Sequence, residues 1–128
     1  MNYQYHDGGR KQAGYGRSKG DCVTRAIAIV TNLSYLNAYE LVNRYCSMEK
    51  NRVSSASNGV SKNTINKIMK NLGFTWIPKR FKWGQERIEG KVILNLSAHV
   101  IPVIGEEYYD TNPNELKNGT IVYGYWKY

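Results

Sequence analysis

The sequence predicts an α+β domain in which N-terminal helices pack on a C-terminal antiparallel β-sheet. Two observations lead to this fold class. Up to Gly73, apolar residues recur at spacings of three and four, as they do on the buried face of a helix. After Gly73 the chain changes to short runs rich in β-branched and aromatic residues, separated by Gly, Pro or Asn. The length of 128 residues corresponds to about one ordinary domain.

Composition limits the class of protein further. The formal charge is +8, but a chain with 41% hydrophobic and 12% aromatic residues is too apolar to be a disordered basic tail. Two cysteines are too few for a disulfide scaffold, and no apolar stretch approaches the length of a membrane span. The first residues lack the apolar core of a signal peptide. We therefore expect a reduced, globular protein in the cytosol.

Residues 1–20 are predicted to form a flexible, Gly-rich basic arm, followed by a single domain over residues 21–128. The stretch 6–20 holds five glycines and four basic residues and has no apolar periodicity. Its glycines match neither the dinucleotide-binding nor the Walker spacing, so no nucleotide site is predicted there. The sequence indicates no cofactor.

Three helices are predicted, each preceded by a residue that can cap the first turn: Asp21, Ser34 and Ser61. Residues 22–30 are apolar nearly all round, which is typical of a buried helix. The second helical pattern includes Cys46, and the third ends at Gly73. The polar stretch 47–60 between them is predicted to be a mobile loop.

Five strands are predicted in the second half of the chain, at residues 74–77, 92–96, 99–104, 108–109 and 121–126. The connections 78–91, 105–107 and 110–120 contain the Gly, Pro or Asn residues that favour turns. Residues 47–60 and 111–119 are the predicted rims of any cleft.

Cys22 is the strongest candidate for a reactive residue. It begins the first predicted helix, where free N–H groups and the positive end of the helix dipole stabilise a thiolate and can bind an oxyanion. Taken alone, an unpaired cysteine is more often a small packed residue, so a second residue is needed. Cys46 has no charged partner in its pattern and is predicted to lie in the core.

His99 and Asp110 are predicted to be the partners of this cysteine. His99 begins an apolar strand, and residues 105–107 form a tight reversal that returns Asp110 antiparallel beside it. A carboxylate in that place would orient the imidazole. The alternatives are that His99 is an ordinary core residue and that Asp110 caps its own turn.

The same residues carry a resemblance to a known family. The chain looks like a family of small bacteriophage-encoded proteins at residues 20–28, 98–103, 108–111 and 122–126. More distantly, the cysteine at a helix start and the histidine strand leading to the aspartate resemble the C39-like branch of papain-like peptidases. The resemblance implies a papain-like cysteine hydrolase fold with Cys22 as nucleophile, His99 as general base and Asp110 as its orienter.

One position departs from the pattern of these peptidases. They usually place a Gln about six residues before the cysteine to complete the oxyanion hole, and here that position is Gly16. Gln12 and Ser18 are the nearby candidates for the oxyanion contact, although both lie off the pattern. The departure concerns activity more than fold.

Two other kinds of site were weighed. A metal site would gather Cys22, Cys46, His6 and His99, but no Cys-x-x-Cys or His-x-x-x-His spacing supports it, so none is predicted. Basic and aromatic residues alternate around a predicted strand in the pattern of a single-strand nucleic-acid platform, namely Lys79, Arg80, Lys82 and Trp83. The alternative for that stretch is a charged edge strand.

Three functions remain open from the sequence. The first is a cysteine-dependent hydrolase of a protein or peptide, cleaving an amide or isopeptide bond in the cytoplasm of a phage host. The second is a papain-like protein without activity that binds and inhibits a host or defence factor. The third is a nucleic-acid-binding accessory protein. No membrane partner is expected, and the oligomeric state is left open.

Overall fold

A computed structural model of the protein describes residues 2–16, 20–50 and 54–128. These form an α+β fold with a six-stranded mixed sheet and three helices. The spatial strand order is β1-β5-β4-β3-β6-β2, where the strands are β1 (Asn2–Tyr5), β2 (Thr75–Lys82), β3 (Lys91–Asn95), β4 (Val100–Ile104), β5 (Glu107–Asp110) and β6 (Ile121–Lys127). The α+β class predicted from the sequence is confirmed at this level.

The three helices begin where their sequences predict. They are α1 (Cys22–Thr31), α2 (Tyr35–Cys46) and α3 (Lys62–Asn71). Ser34 caps α2 by accepting from the Asn37 N–H, and Ser61 caps α3 in the same way. Asp21 occupies the N-cap position of α1, but its side chain makes no capping hydrogen bond. The carboxylate of Asp21 is used elsewhere, as described below.

The sheet separates two apolar clusters. The helices cover one face, where a core forms around residues such as Ile27, Val42, Ile68, Ile93 and Trp126. The connections after β2 and after β5 cover the other face, where a second core includes Trp83, Ile88, Val92, Leu116 and Val122. Because α1 packs on β4, the first residues of the helix lie over the start of that strand.

The sheet departs from the prediction at its first strand. It is mixed and not antiparallel, because β1 pairs parallel with β5, with Asn2 opposite Glu107 and Tyr5 opposite Asp110. The short sequence Asn-Tyr-Gln-Tyr shows no apolar alternation that would predict a strand. Its partner strand lies far along the chain, so no local sequence pattern predicts the pairing.

Part of the predicted flexible arm over residues 1–20 has regular structure. Residues 2–5 form β1, and residues 8–14 form consecutive turns in which Ala13 N–H bonds Gly9 O and Tyr15 N–H bonds Arg10 O. Arg10 is buried rather than solvated. Glycines that predicted pliability instead permit tight turns. Within the described residues, no helix is long and apolar enough to cross a membrane.

Gly124 in β6 provides a test of the sheet packing. Its φ is +120°, and a Cβ there would lie 2.5 Å from Cη2 of Trp76, whose ring packs on Trp126. Gly124→Ala should destabilise the protein by roughly 3 kcal/mol, since backbone strain and overpacking add. Equilibrium urea unfolding measures this loss.

Gly90→Ala is the matched control. Gly90 also has a positive φ, +85°, but a Cβ there would meet no atom within 4 Å. Gly90→Ala should therefore lower the free energy of unfolding by only about 1 kcal/mol, which is the part due to backbone strain. Equal losses in the two variants would show that the Trp76 contact does not restrict position 124.

Candidate active site

Cys22 lies at the N-terminal end of α1, as its sequence context predicts. Because Asp21 makes no capping hydrogen bond with its side chain, that side chain takes none of the N–H groups of the first turn. Cys22 is partly buried and packs against the helix-face core. The sulfur therefore lies at the positive end of a helix dipole, with limited access to water.

His99 lies beside this sulfur. Its imidazole lowers the pKa of the Cys22 thiol, and so does the Val100 backbone N–H. His99 stands immediately before β4, on which α1 packs, so helix and strand bring the two side chains together. The structure thus joins two residues that the sequence separates by most of the chain.

Asp110 contacts the imidazole of His99 at the ring nitrogen Nε2. Its Oδ2 lies 2.7 Å from Nε2 of His99, which leaves Nδ1 as the ring nitrogen that can face the sulfur. The β4–β5 hairpin places Val103 opposite Tyr108, and Asp110 ends β5 beside His99. Asp110 also accepts from the Thr111 N–H at 2.7 Å, so it caps its own turn as well as contacting His99.

Each of the three side chains shifts the pKa of its neighbours in the direction that favours their charged forms. Burial opposes the charge on Cys22, but the hydrogen bond and charge of His99 outweigh it and lower the thiol pKa. Burial likewise disfavours the imidazolium, but the hydrogen bonds to Asp110 and Cys22 raise the pKa of His99 to about 10. Burial works against the carboxylate too, yet His99 holds the pKa of Asp110 below its usual value. These directions favour the thiolate, the imidazolium and the carboxylate over their neutral forms.

Cys46 differs from Cys22 in its place on its helix and in the direction of its pKa shift. It ends α2, is buried in the core, and has its thiol pKa raised to about 11 by burial and by the nearby charge of Glu49. The structure agrees with the prediction that Cys46 is a core residue.

Arg25 is a residue of the site that the sequence did not single out for a role. It follows Cys22 by three residues on α1 and is buried, with Nη1 3.0 Å from Asp110 Oδ1 and 3.0 Å from Thr111 Oγ1. Its Nε lies 3.0 Å from Asp21 Oδ1, an ion pair whose N–H does not point at the oxygen. The available signal was a lone charge on an otherwise apolar helix.

A second buried group continues this network away from the cysteine. Asp21, 1% exposed, accepts from the Tyr35 hydroxyl at 2.8 Å, and Arg10 Nη1 lies 3.4 Å from the same oxygen. Arg10 also donates to the Tyr35 hydroxyl and, through Nε, to the Gly16 carbonyl. The segment before α1 is thereby attached to the back of the site.

A cleft of about 510 Å³ opens beside His99. Its lining residues come from the β3–β4 turn, the connection after β5 and the start of β6: Leu96, Ser97, Ala98, His99, Glu115, Thr120, Ile121 and Tyr123. Lys62, the first residue of α3, bonds the Asn95 side chain and the Leu96 carbonyl at this border and interacts electrostatically with Cys22.

Both predicted rims have members near the site. Glu115 and Thr120, in or next to the segment 111–119, line the cleft. In the segment 47–60, Ser57 and Asn58 pack on Gly20, two residues before the cysteine. Residues 54–60 carry a bridge between Ser55 and Gly59, and residues 51–53 lie outside the described part of the chain.

The oxyanion candidates gain no support from their positions. Gln12 is exposed and lines a surface pocket with residues of the N-terminal segment, none of which is Cys22 or His99. Ser18 lies outside the described residues. Gly16 has no side chain, and its carbonyl accepts from Arg10. The backbone N–H groups at the start of α1 are the donors that the geometry offers.

The predicted nucleic-acid residues divide into two groups. Lys79, Arg80 and Lys82 are exposed on β2, an edge strand. Lys79 pairs with Glu86 at 2.6 Å, and Arg80 lies over the Tyr123 ring at 5.6 Å. Trp83 is only 5% exposed in the second core, so its ring is not accessible to a base, which corrects that part of the prediction.

Comparison with known proteins yields no relative. No protein family matches the sequence, no curated protein is significantly similar to it, and no solved structure matches the fold.

The pH dependence of Cys22 alkylation tests the geometry of the site. In a Cys46→Ala background, iodoacetamide should react at a rate that stays on its plateau below the usual thiol pKa, because His99 stabilises the thiolate. His99→Ala removes the charge that offsets the burial of Cys22. The pKa of the Cys22 thiol should therefore rise by about two units, and the alkylation rate near pH 6 should fall roughly 100-fold.

Lys62→Ala serves as the control for a general loss of positive charge near the sulfur. Lys62 interacts with Cys22 electrostatically but makes its hydrogen bonds to Asn95 and Leu96, so this variant should move the thiol pKa far less than His99→Ala. Identical alkylation profiles for wild type and His99→Ala would contradict the hydrogen-bonded pair.

Proposed function

We propose that this protein is a cysteine-dependent hydrolase that cleaves an amide or isopeptide bond in a protein or peptide. The observation that carries the proposal is the placement of Cys22, at the start of a helix, beside His99, whose Nε2 lies 2.7 Å from Asp110 Oδ2. A nucleophile, a base in contact with it and a third group that orients the base are the components of covalent acyl transfer.

The proposed reaction begins with attack of the Cys22 thiolate on the substrate carbonyl carbon. The carbonyl π electrons move to oxygen, and the backbone N–H groups at the head of α1 stabilise the negative charge that develops there. The His99 imidazolium then gives its proton to the departing amine as the C–N bond breaks. The products of this half are a free amine and a thioester on Cys22.

Water completes the cycle. Neutral His99 takes a proton from water as its oxygen attacks the thioester carbonyl, and cleavage of the C–S bond releases a carboxylic acid. The proton returned to His99 restores the thiolate–imidazolium pair. Asp110, hydrogen-bonded to Nε2, keeps Nδ1 directed at the sulfur through both halves.

The cleft beside His99 supports binding of an extended substrate segment. Leu96, Ile121 and Tyr123 provide apolar area, while Ser97 and Thr120 provide hydroxyl groups. From the resemblance alone, we further propose a papain-like fold, a phage origin and a site of action in the host cytoplasm.

The lack of a side chain for the oxyanion contact at position 16 supports a second candidate function. Position 16 supplies no side chain, and the oxyanion candidate at position 12 faces solvent in another pocket. A papain-like scaffold with an intact thiolate and an incomplete oxyanion site would bind a host or defence protein without turnover. A biological activity that Cys22→Ala retains in full would favour this candidate.

A peptide-based electrophile tests the hydrolase directly. An acyloxymethyl ketone carried on a short peptide should label wild type, and Cys22→Ala should abolish the labelling, because the reagent alkylates an activated thiol. His99→Ala should lower the labelling rate at neutral pH about 100-fold or more. Labelling is followed by intact-protein mass spectrometry.

Cys46→Ala is the matched control within the same chain. Cys46 is buried with a raised thiol pKa, so its removal should leave the stoichiometry and rate of labelling unchanged. Labelling that persists in Cys22→Ala and disappears in Cys46→Ala would sink the proposal.

A further inference from the structure

We propose that Arg25 is a positioning residue of the active site, which fixes the Asp110 carboxylate against His99 and couples the site to the N-terminal segment through Asp21. This inference rests on the proposed function and extends it to residues that touch neither substrate nor sulfur. It assigns a role to a buried arginine that fold stability alone does not require.

The geometry divides the two oxygens of Asp110 between two partners. Oδ2 faces His99 Nε2 at 2.7 Å, while Oδ1 accepts from Arg25 Nη1 at 3.0 Å and from the Thr111 N–H at 2.7 Å. With Oδ1 held on one side, rotation of the carboxylate about its Cβ–Cγ bond would break two bonds. Arg25 thereby keeps Oδ2 directed at the imidazole.

Arg25 and the nucleophile share one rigid element. Cys22 and Arg25 lie about one turn apart on α1, so the helix that places the sulfur also places the group that fixes the acid. Arg25 Nη1 donates to Asp110 Oδ1 and to Thr111 Oγ1, while its Nε lies 3.0 Å from Asp21 Oδ1. A displacement of α1 would therefore move the Cys22 sulfur and the Arg25 contact with Asp110 together.

The network extends to the N-terminal segment. Asp21 lies against Arg25, and Tyr35 and Arg10 contact its other oxygen. From Arg10 to Cys22 the buried groups alternate in charge: Arg10, Asp21, Arg25, Asp110, His99 and Cys22. Each charge has an opposite neighbour, so the charge of Arg25 also favours the thiolate at the end of the series.

The energetics favour a functional over a purely structural role. Desolvating charged groups costs several kcal/mol each, and buried ion pairs often contribute no more stability than apolar residues of similar size. Asp21 and Arg25 are both nearly inaccessible to water. Their presence on an otherwise apolar helix is explained when the ionised state of Asp110 matters for the chemistry.

Thiol titration in a Cys46→Ala background provides the test. Arg25→Gln should raise the Cys22 pKa by roughly one unit and slow iodoacetamide alkylation near pH 6 about tenfold, because a positive charge is lost. Arg25→Lys keeps the charge but loses the planar fork, so its shift should be smaller. Unchanged thiol pKa in a folded Arg25→Gln variant would overturn the proposal.

Thr24→Val separates this role from stability. Thr24 is fully buried on the same helix and donates to the Ala56 carbonyl, so Val should destabilise the protein while leaving the thiol pKa unchanged. A shift in Thr24→Val equal to that in Arg25→Gln would assign the effect to general loosening of α1 and would also overturn the proposal.

A double variant shows whether Arg25 acts through Asp110. In an Asp110→Asn background, Arg25→Gln should have at most half of its single-variant effect on the thiol pKa, since the group it positions is gone. Additive effects would contradict the positioning role. Should Arg25→Gln fail to fold, the same cycle with Arg25→Lys decides between these outcomes.

The result is distinguishable from failure of the proposed function. If wild-type Cys22 titrates like an ordinary thiol and ignores His99→Ala, the hydrolase proposal fails. If His99→Ala raises the thiol pKa while Arg25→Gln does not, the hydrolase proposal stands and only the role of Arg25 is lost.

Discussion

The buried carboxylate of Asp110 connects the sheet, the first helix and the N-terminal strand. Its two oxygens bind His99, Arg25 and the Thr111 N–H, and its backbone carbonyl accepts from the His6 N–H and the Tyr3 hydroxyl. A carboxylate that is 3% exposed stays ionised only when such donors replace water. Every element that carries part of the site therefore has to be in place around this one residue.

This constraint explains why the N-terminal segment is ordered despite its composition. Glycines and lysines without periodicity predict a flexible arm, yet Tyr3 and His6 contact Asp110, and Arg10 contacts Asp21. The segment is joined to the rest of the protein by these polar contacts, by the pairing of β1 with β5, and by ring contacts of Tyr3 with Tyr108 and of Tyr15 with Tyr35 and Tyr39. Its order is therefore coupled to the charges that it meets.

Local signals and long-range contacts account for what the sequence could and could not predict. Helix starts at Ser34 and Ser61 depend on hydrogen bonds within one turn, and the approach of Asp110 to His99 depends on one hairpin, so both follow from short stretches. Arg25 has the same local sequence whether it faces solvent or a buried acid. Only the packing of α1 on β4, which juxtaposes distant residues, decides between the two.

The two cysteines of the chain show which interaction sets the state of the nucleophile. Both cysteines pack against the same core, and for each of them burial by itself acts to raise the thiol pKa. A helix N-terminus contributes about 0.3–1 kcal/mol to an anion, which is less than one pKa unit. Cys46, at a helix C-terminus near Glu49, has its pKa raised to about 11, whereas that of Cys22 is lowered. The helix end alone is too weak to reverse burial, so the lowered pKa of Cys22 comes mainly from the imidazole of His99, with smaller contributions from the Val100 N–H and the charge of Arg25.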